Sequence, residues 1–105
     1  MLSSLIATVD SPTDKELIIQ LYNTYKQFMY NISMSILGKR EDAEDAVQDS
    51  FVRIIDNLDK INNPYSRKTK SYITVITKNV CLDMIRRNHN DEELEDKDIP
   101  FKDNY

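Results

Sequence analysis

Glycine occurs once in this 105-residue chain, at Gly38, and the three prolines, Pro12, Pro64 and Pro100, all lie outside the long stretches of apolar periodicity. A chain so poor in turn formers cannot build the many tight connections of a sheet, and apolar/polar alternation is nowhere sustained. The expected fold class is therefore all-α. The periodicity predicts a compact domain of three helices, with room for a short extra helical turn between residues 60 and 70.

The first helix is expected from Pro12 or Thr13 to Leu37, with Ser11 as N-cap, Pro12 at the first position and Gly38 as the stop. Ile18, Leu21, Tyr22, Tyr25, Met29, Ile32 and Ile36 recur every three or four residues and form one buried stripe. A second helix is expected from Asp42 to Leu58, with Ala43, Val47, Phe51, Ile54 and Leu58 inward. Glu44, Asp45, Gln48, Asp49 and Asp56 then fall within about 140° of one another on its outer side. The run Asn62 to Lys70 reads as a basic loop. A third helix is expected from Ser71 to Arg87, with Tyr72, Ile73, Ile76, Val80 and Met84 inward. Val75, Leu82 and Ile85 lie elsewhere on its wheel, which predicts neighbours on more than one side. The domain is thus expected over residues 12–90, between an N-terminal segment (1–11) and an acidic tail or linker (91–105).

The net charge of −4 conceals three blocks of different sign. Residues 1–59 carry 5 Lys/Arg against 10 Asp/Glu, residues 60–89 carry 7 against 1, and residues 90–105 carry 2 against 7. Screening over about 8 Å at physiological salt means that a ligand beside the middle block feels mainly that block. Opposite surfaces can therefore serve opposite partners. Cys81, the single cysteine, permits no intrachain disulfide and reads as a small buried hydrophobe. His89 has no second ligand-type residue beside it, so no metal site is expected. No nucleophile, base and orienting group form a set, and there is no glycine-rich phosphate loop, so no enzyme activity and no cofactor are expected. With no apolar run of membrane-spanning length and no signal-peptide pattern, the expected location is the cytoplasm and no membrane partner is expected.

Two motifs go further. DAEDAVQDSFVR, from Asp42 to Arg53, resembles the DAED-x-x-Q-(E/D)-x-F-x-R pattern of region 2.2 in the sigma-70 superfamily. YITVITKNVCLDMIRR, from Tyr72 to Arg87, resembles the family's WL-x-x-I-A-x-N-x-x-x-D-x-x-RR pattern of regions 2.3 and 2.4. LYNTYKQFMYNISMSILG precedes them as region 2.1 would, so the resemblance covers roughly residues 16 to 90 and is nearest to the extracytoplasmic-function (ECF) group. Three departures stand out: Tyr72 replaces the usual tryptophan, Thr77 replaces a small residue, and the family's second, helix-turn-helix domain has no room in 105 residues. The chain is then either a domain of a longer protein or a short form.

The resemblance implies a module that joins core RNA polymerase and recognises and melts the promoter −10 element. Asp45, Gln48, Asp49 and Arg53 would dock on the clamp coiled coil of the largest polymerase subunit. Tyr65, Arg67, Lys68, Lys70, Lys78, Asn79, Arg86 and Arg87, with Lys60, would hold the non-template single strand. A flipped base would be captured between the basic loop and the following helix, with Asn79 lining or bracing the pocket. An anti-sigma factor is the implied antagonist. Read without the resemblance, the acidic and basic faces are ordinary solvated surfaces, Tyr72 belongs to the core, and Asp83 pairs with Arg86 or Arg87 along the helix. The competing function is a helical interaction module without promoter activity.

Overall fold

A computed structural model describes residues 2–7 and 9–91, with side chains as far as residue 88. Four α-helices follow one another: α1 (Leu2–Ile6), α2 (Pro12–Leu37), α3 (Arg40–Asp56) and α4 (Arg67–Asp91), with a 3-10 turn at Leu58–Lys60 between α3 and α4. There is no strand among the described residues. The three long helices pack against one another in every pairing.

Helix α2 begins and ends where its capping residues dictate. The Ser11 side chain accepts a hydrogen bond from the Asp14 N–H at 3.3 Å, Pro12 occupies the first turn, and Gly38 closes the helix at φ 77°, donating its N–H to the Met34 carbonyl. A side chain at that positive φ would be strained, which explains the single glycine. The stripe of α2 is buried at Ile18, Leu21, Tyr22, Tyr25 and Met29, but Ile32 and Ile36 are only half-buried, and Ser33 takes the interior place.

The main core joins that stripe to Val47, Phe51 and Ile54 of α3, to Leu58 and Ile61 around the 3-10 turn, and to Ile73 of α4. Phe51 lies at its centre with no exposed surface, its ring 5.2 Å from that of Tyr22. Beside it, Ala46, Val80, Cys81 and Met84 form a smaller cluster edged by Ile36, Leu37 and Ile76. Small residues let the helices approach there. Ser33, Ser50 and Thr77 are wholly buried, and each donates its hydroxyl to the carbonyl four residues back, at 2.9, 2.6 and 2.8 Å, so none leaves a polar group unpaired.

Four boundaries differ from the sequence expectation. Residues 2–6 are helical, and Leu5 is buried in the main core with Leu2, Ile6 and Val9 packed around it; their three- and four-residue spacing is the local cause. Helix α3 spans Arg40–Asp56 instead of 42–58, and Leu58 reaches the core from the 3-10 turn. Helix α4 starts at Arg67, four residues before the expected Ser71, because Ser66 caps it: its hydroxyl accepts from the Thr69 N–H at 3.1 Å. It also runs to Asp91, past the expected end at Arg87. The expectation that Val75 faces a neighbour is overturned, since Val75 is 55% exposed on the outer side of α4. The acidic tail lies outside the described residues.

Candidate functional site

Two surfaces carry the residues singled out by sequence, one on α3 and one on α4 with the connection that precedes it. On α3, the apolar residues Ala43, Ala46, Val47, Phe51 and Ile54 fix the inward face, so the 100° step puts Asp45, Asp49 and Asp56 outside, all exposed. None of these three makes an ion pair among the described residues. Glu44 does, meeting Arg40 at 3.7 Å across a well-solvated turn. Val52, 46% exposed, adds an apolar spot among the carboxylates.

Gln48 differs from its charged neighbours in being half-buried, and its Oε1 is enclosed with no hydrogen-bond donor among the described residues. It shares a hollow of about 170 Å³ with Ser4 and Leu5 of α1 and with Val52, Ile55 and Asp56 of α3. The N-terminal helix therefore abuts the acidic face. An enclosed acceptor without a donor costs about 1–3 kcal/mol, so this position favours an arriving N–H group. Carboxylates flanking a glutamine acceptor suit arginine side chains.

The second surface begins at the connection from α3 to α4. A cleft of about 690 Å³ is lined by Asp59, Lys60, Ile61, Asn62, Asn63, Ser66, Lys68, Thr69 and Tyr72. Its walls are built locally. The Asn63 carbonyl accepts from the Thr69 hydroxyl at 2.6 Å and the Ser66 hydroxyl at 3.2 Å, and the Asn63 side chain accepts from the Tyr65 N–H at 2.9 Å. Tyr25 of α2 ties the loop down by donating its hydroxyl to the Pro64 carbonyl at 2.6 Å. Burial, and secondarily the neighbouring Tyr65, raises the Tyr25 phenol above its ordinary value, which keeps that donor protonated.

The structure distributes the basic residues more finely than a loop would. Arg67, Lys68 and Lys70 lie in the first turn of α4. Of these, Lys68 lines the cleft, whereas Lys70 turns toward α2, its ammonium 4.9 Å from the centre of the Phe28 ring. Tyr65 is 64% exposed beside the cleft without lining it. Tyr72 both lines the cleft and packs on the main core. Asn79 does not line the cleft: it is exposed on the same flank as Tyr72, seven residues or about 10 Å farther along the helix. Lys78, one residue before Asn79 and so about 100° around the helix from it, is exposed too, and Arg86 and Arg87 are exposed two turns farther on.

Arg53 is placed unlike the other members of its motif. Its Nη2 donates to Asp83 Oδ2 of α4 at 2.9 Å, while Arg86 Nη1 donates to the other oxygen, Oδ1, at 2.9 Å. The helical pairing expected of Asp83 is thus present with Arg86 and extended across the seam between α3 and α4. Sequence reasoning missed this bridge, α1, and the roles of Asn62, Asn63, Ser66 and Thr69 in the cleft. Ser66, a residue type that favours the N-cap, was the readable signal for this helix start.

Cys81 is fully buried, and burial pushes its thiol above the ordinary range despite a hydrogen bond to Ser33. Among the described residues no group of His, Cys, Asp and Glu could hold a metal ion, and no helix is long and apolar enough to cross a membrane. The side chain of His89 lies outside the described residues.

Fold and surfaces together define an all-α module with an exposed acidic face on α3 and a polar cleft at the start of α4, with exposed cations farther along that helix. The chain belongs to the sigma-70 region 2 family, whose model matches residues 21–90. It is similar to the RNA polymerase sigma factor SigV of Bacillus subtilis, 26% identical over 89 residues that cover 85% of this chain and 52% of the relative. It is also similar to the ECF RNA polymerase sigma factor SigW of the same organism, 28% identical over 82 residues, 78% of this chain and 43% of the relative. These matches support the ECF resemblance read from the motifs. The chain spans about half the length of these curated relatives. No solved structure gives a significant match.

Proposed function

We propose that this domain docks on core RNA polymerase through the outer face of α3 and holds the opened promoter −10 element along the α4 side, as part of a transcription initiation factor. The carrying observation is the cleft bounded by Lys60, Lys68 and Tyr72. It joins cations for phosphate to an aromatic edge and amide groups, which is what an unstacked base and its backbone require. Asn62 and Asn63, inside the cleft, are better placed than Asn79 to read a captured base. Asn79, Arg86 and Arg87 then follow the strand outward.

On α3, Asp45, Asp49 and Gln48 offer acceptors to arginine side chains of the largest polymerase subunit's clamp coiled coil, with Val52 adding apolar contact. Carboxylates with no ion-pair partner among the described residues give orientation and on-rate to such a contact. The bond chemistry of RNA synthesis belongs to the polymerase, and an anti-sigma factor would act by covering one or both surfaces. The setting for all of this is the cytoplasm. The test is pull-down with core polymerase followed by binding of forked −10 DNA. Both should occur; polymerase binding without any DNA capture would leave a helical interaction module in its place.

A further inference from the structure

Arg53 occupies the last position of a motif otherwise devoted to docking, yet its guanidinium turns away from that face. Asp49, one helical turn back, is at the spacing for an ion pair, but the bond is made to Asp83 on α4. Resting on the reading of α4 as the nucleic-acid side, we infer that Arg53 and Arg86, bridged by Asp83, form a clamp for a backbone phosphate of the bound single strand.

Three observations carry this. First, the two arginines bond to different oxygens of one carboxylate, each at 2.9 Å, so both guanidinium groups are gathered at one anion. A lone arginine pair would repel; the single anion between them removes that repulsion and leaves a net charge of one cation. Second, each guanidinium carries five N–H donors in a fixed fork, and the carboxylate engages one from each, leaving the rest for a phosphate. Third, the side chains of Arg53, Asp83 and Arg86 are 47%, 41% and 56% exposed, so those donors face solvent. Arg86 lies 14 residues beyond Tyr72, about 21 Å along α4, with Asn79 midway, so the clamp stands where a strand leaving the cleft along that flank would pass. A purely structural clasp would need neither the second arginine nor its exposure.

Arg53 is thereby assigned to DNA and not to polymerase, and the two assignments part in one experiment. Binding of a labelled single-stranded −10 oligonucleotide is followed by fluorescence anisotropy across salt for the chain and for Arg53→Gln and Arg53→Lys, beside core-polymerase pull-down. Arg53→Gln should weaken binding several-fold for all sequences alike and reduce the slope of log affinity on log salt by about 0.7, the loss of one phosphate contact. Arg53→Lys, which keeps the charge but not the fork, should restore the slope and only part of the affinity. Polymerase capture should be unchanged for both. An unchanged salt slope in Arg53→Gln, or loss of polymerase capture instead of DNA affinity, overturns the clamp alone. Failure of the unsubstituted chain to bind the strand overturns the function proposed above, and the clamp with it.

Discussion

The Arg53 guanidinium and the Asp83 carboxylate meet at 2.9 Å across the seam of α3 and α4, thirty residues apart in sequence. This contact joins the helix that carries the acidic face to the helix that carries the basic one. Because both side chains are about half in water, it contributes orientation more than stability. Arg53→Gln is expected to lower the unfolding free energy by less than about 1 kcal/mol in urea titration. A loss well above that would mean that the seam depends on this pair, leaving no surplus role for the arginine.

Docking and folding should separate on α3. Asp49→Lys reverses an exposed charge with no intramolecular partner among the described residues, so its effect on stability should stay within about ±0.5 kcal/mol. Gln48→Ala removes an acceptor that has no donor among the described residues, and should be neutral or slightly stabilising. Both should reduce capture by core polymerase while leaving the circular dichroism spectrum unchanged. Normal capture by the double variant would remove this face from the account.

The cleft depends on a residue outside it. Tyr25→Phe deletes the 2.6 Å bond to the Pro64 carbonyl and should cost about 1 kcal/mol of stability. It should also weaken single-strand binding, because the 62–66 connection loses its tie to α2, while polymerase capture stays as before. Undiminished strand binding in this variant would show that the loop needs no anchoring.

The short N-terminal helix is part of the fold. Leu5 is 5% exposed, so Leu5→Ala should destabilise the domain by about 2 kcal/mol, the low end for a buried leucine because a five-residue helix can settle into the space left. Thermal melting with a fitted unfolding enthalpy measures this. A shift no larger than that of an exposed substitution would mean that α1 does not pack as described.

Alkaline pH should unfold the domain earlier than its net charge alone requires. Burial raises both the Cys81 thiol, ordinarily at 9.0, and the Tyr25 phenol, ordinarily at 10.0. A group whose folded pKa is raised contributes stability that is present below the unfolded value and lost as pH rises through the folded one. Stability from these groups should thus hold below pH 9 and fall above it, and Cys81→Ala should remove part of the dependence. Below that pH, alkylation of Cys81 should follow urea unfolding; rapid labelling of the native chain would contradict its burial.

Much of this was legible in sequence where the physics is local. Ser11, Pro12 and Gly38 mark both ends of α2, and the spacing from Ala43 to Ile54 fixes which side of α3 faces water. The readings that failed depend on tertiary choice. Ile32 and Ser33 compete for one interior position, and the close approach of α4 selects the smaller residue, whose hydroxyl is satisfied by its own helix. Periodicity cannot register that preference. Arg67, Lys68, Thr69 and Lys70 looked like a loop because they follow Asn62-Asn63-Pro64 and show no apolar period; the Ser66 cap starts the helix there nonetheless. Val75 was counted with Leu82 and Ile85 as facing a neighbour because it is apolar, but the arc of α4 that it occupies is exposed. The partner chosen by Arg53 was hidden because Asp83 lies thirty residues away on another helix.

In the function proposed above, the cleft and the α4 flank take a strand after it has left the duplex. Bases reach a cleft of this kind only when unstacked, which costs a few kcal/mol in duplex DNA. The most direct measurement compares the affinity of this chain for a labelled non-template −10 oligonucleotide with its affinity for the same sequence as duplex, across a range of salt. A preference for the single strand is expected at every salt concentration, reduced when Lys68→Gln or Asn62→Ala alters the cleft. Equal affinity for single strand and duplex, or a preference untouched by those two substitutions, would contradict that function.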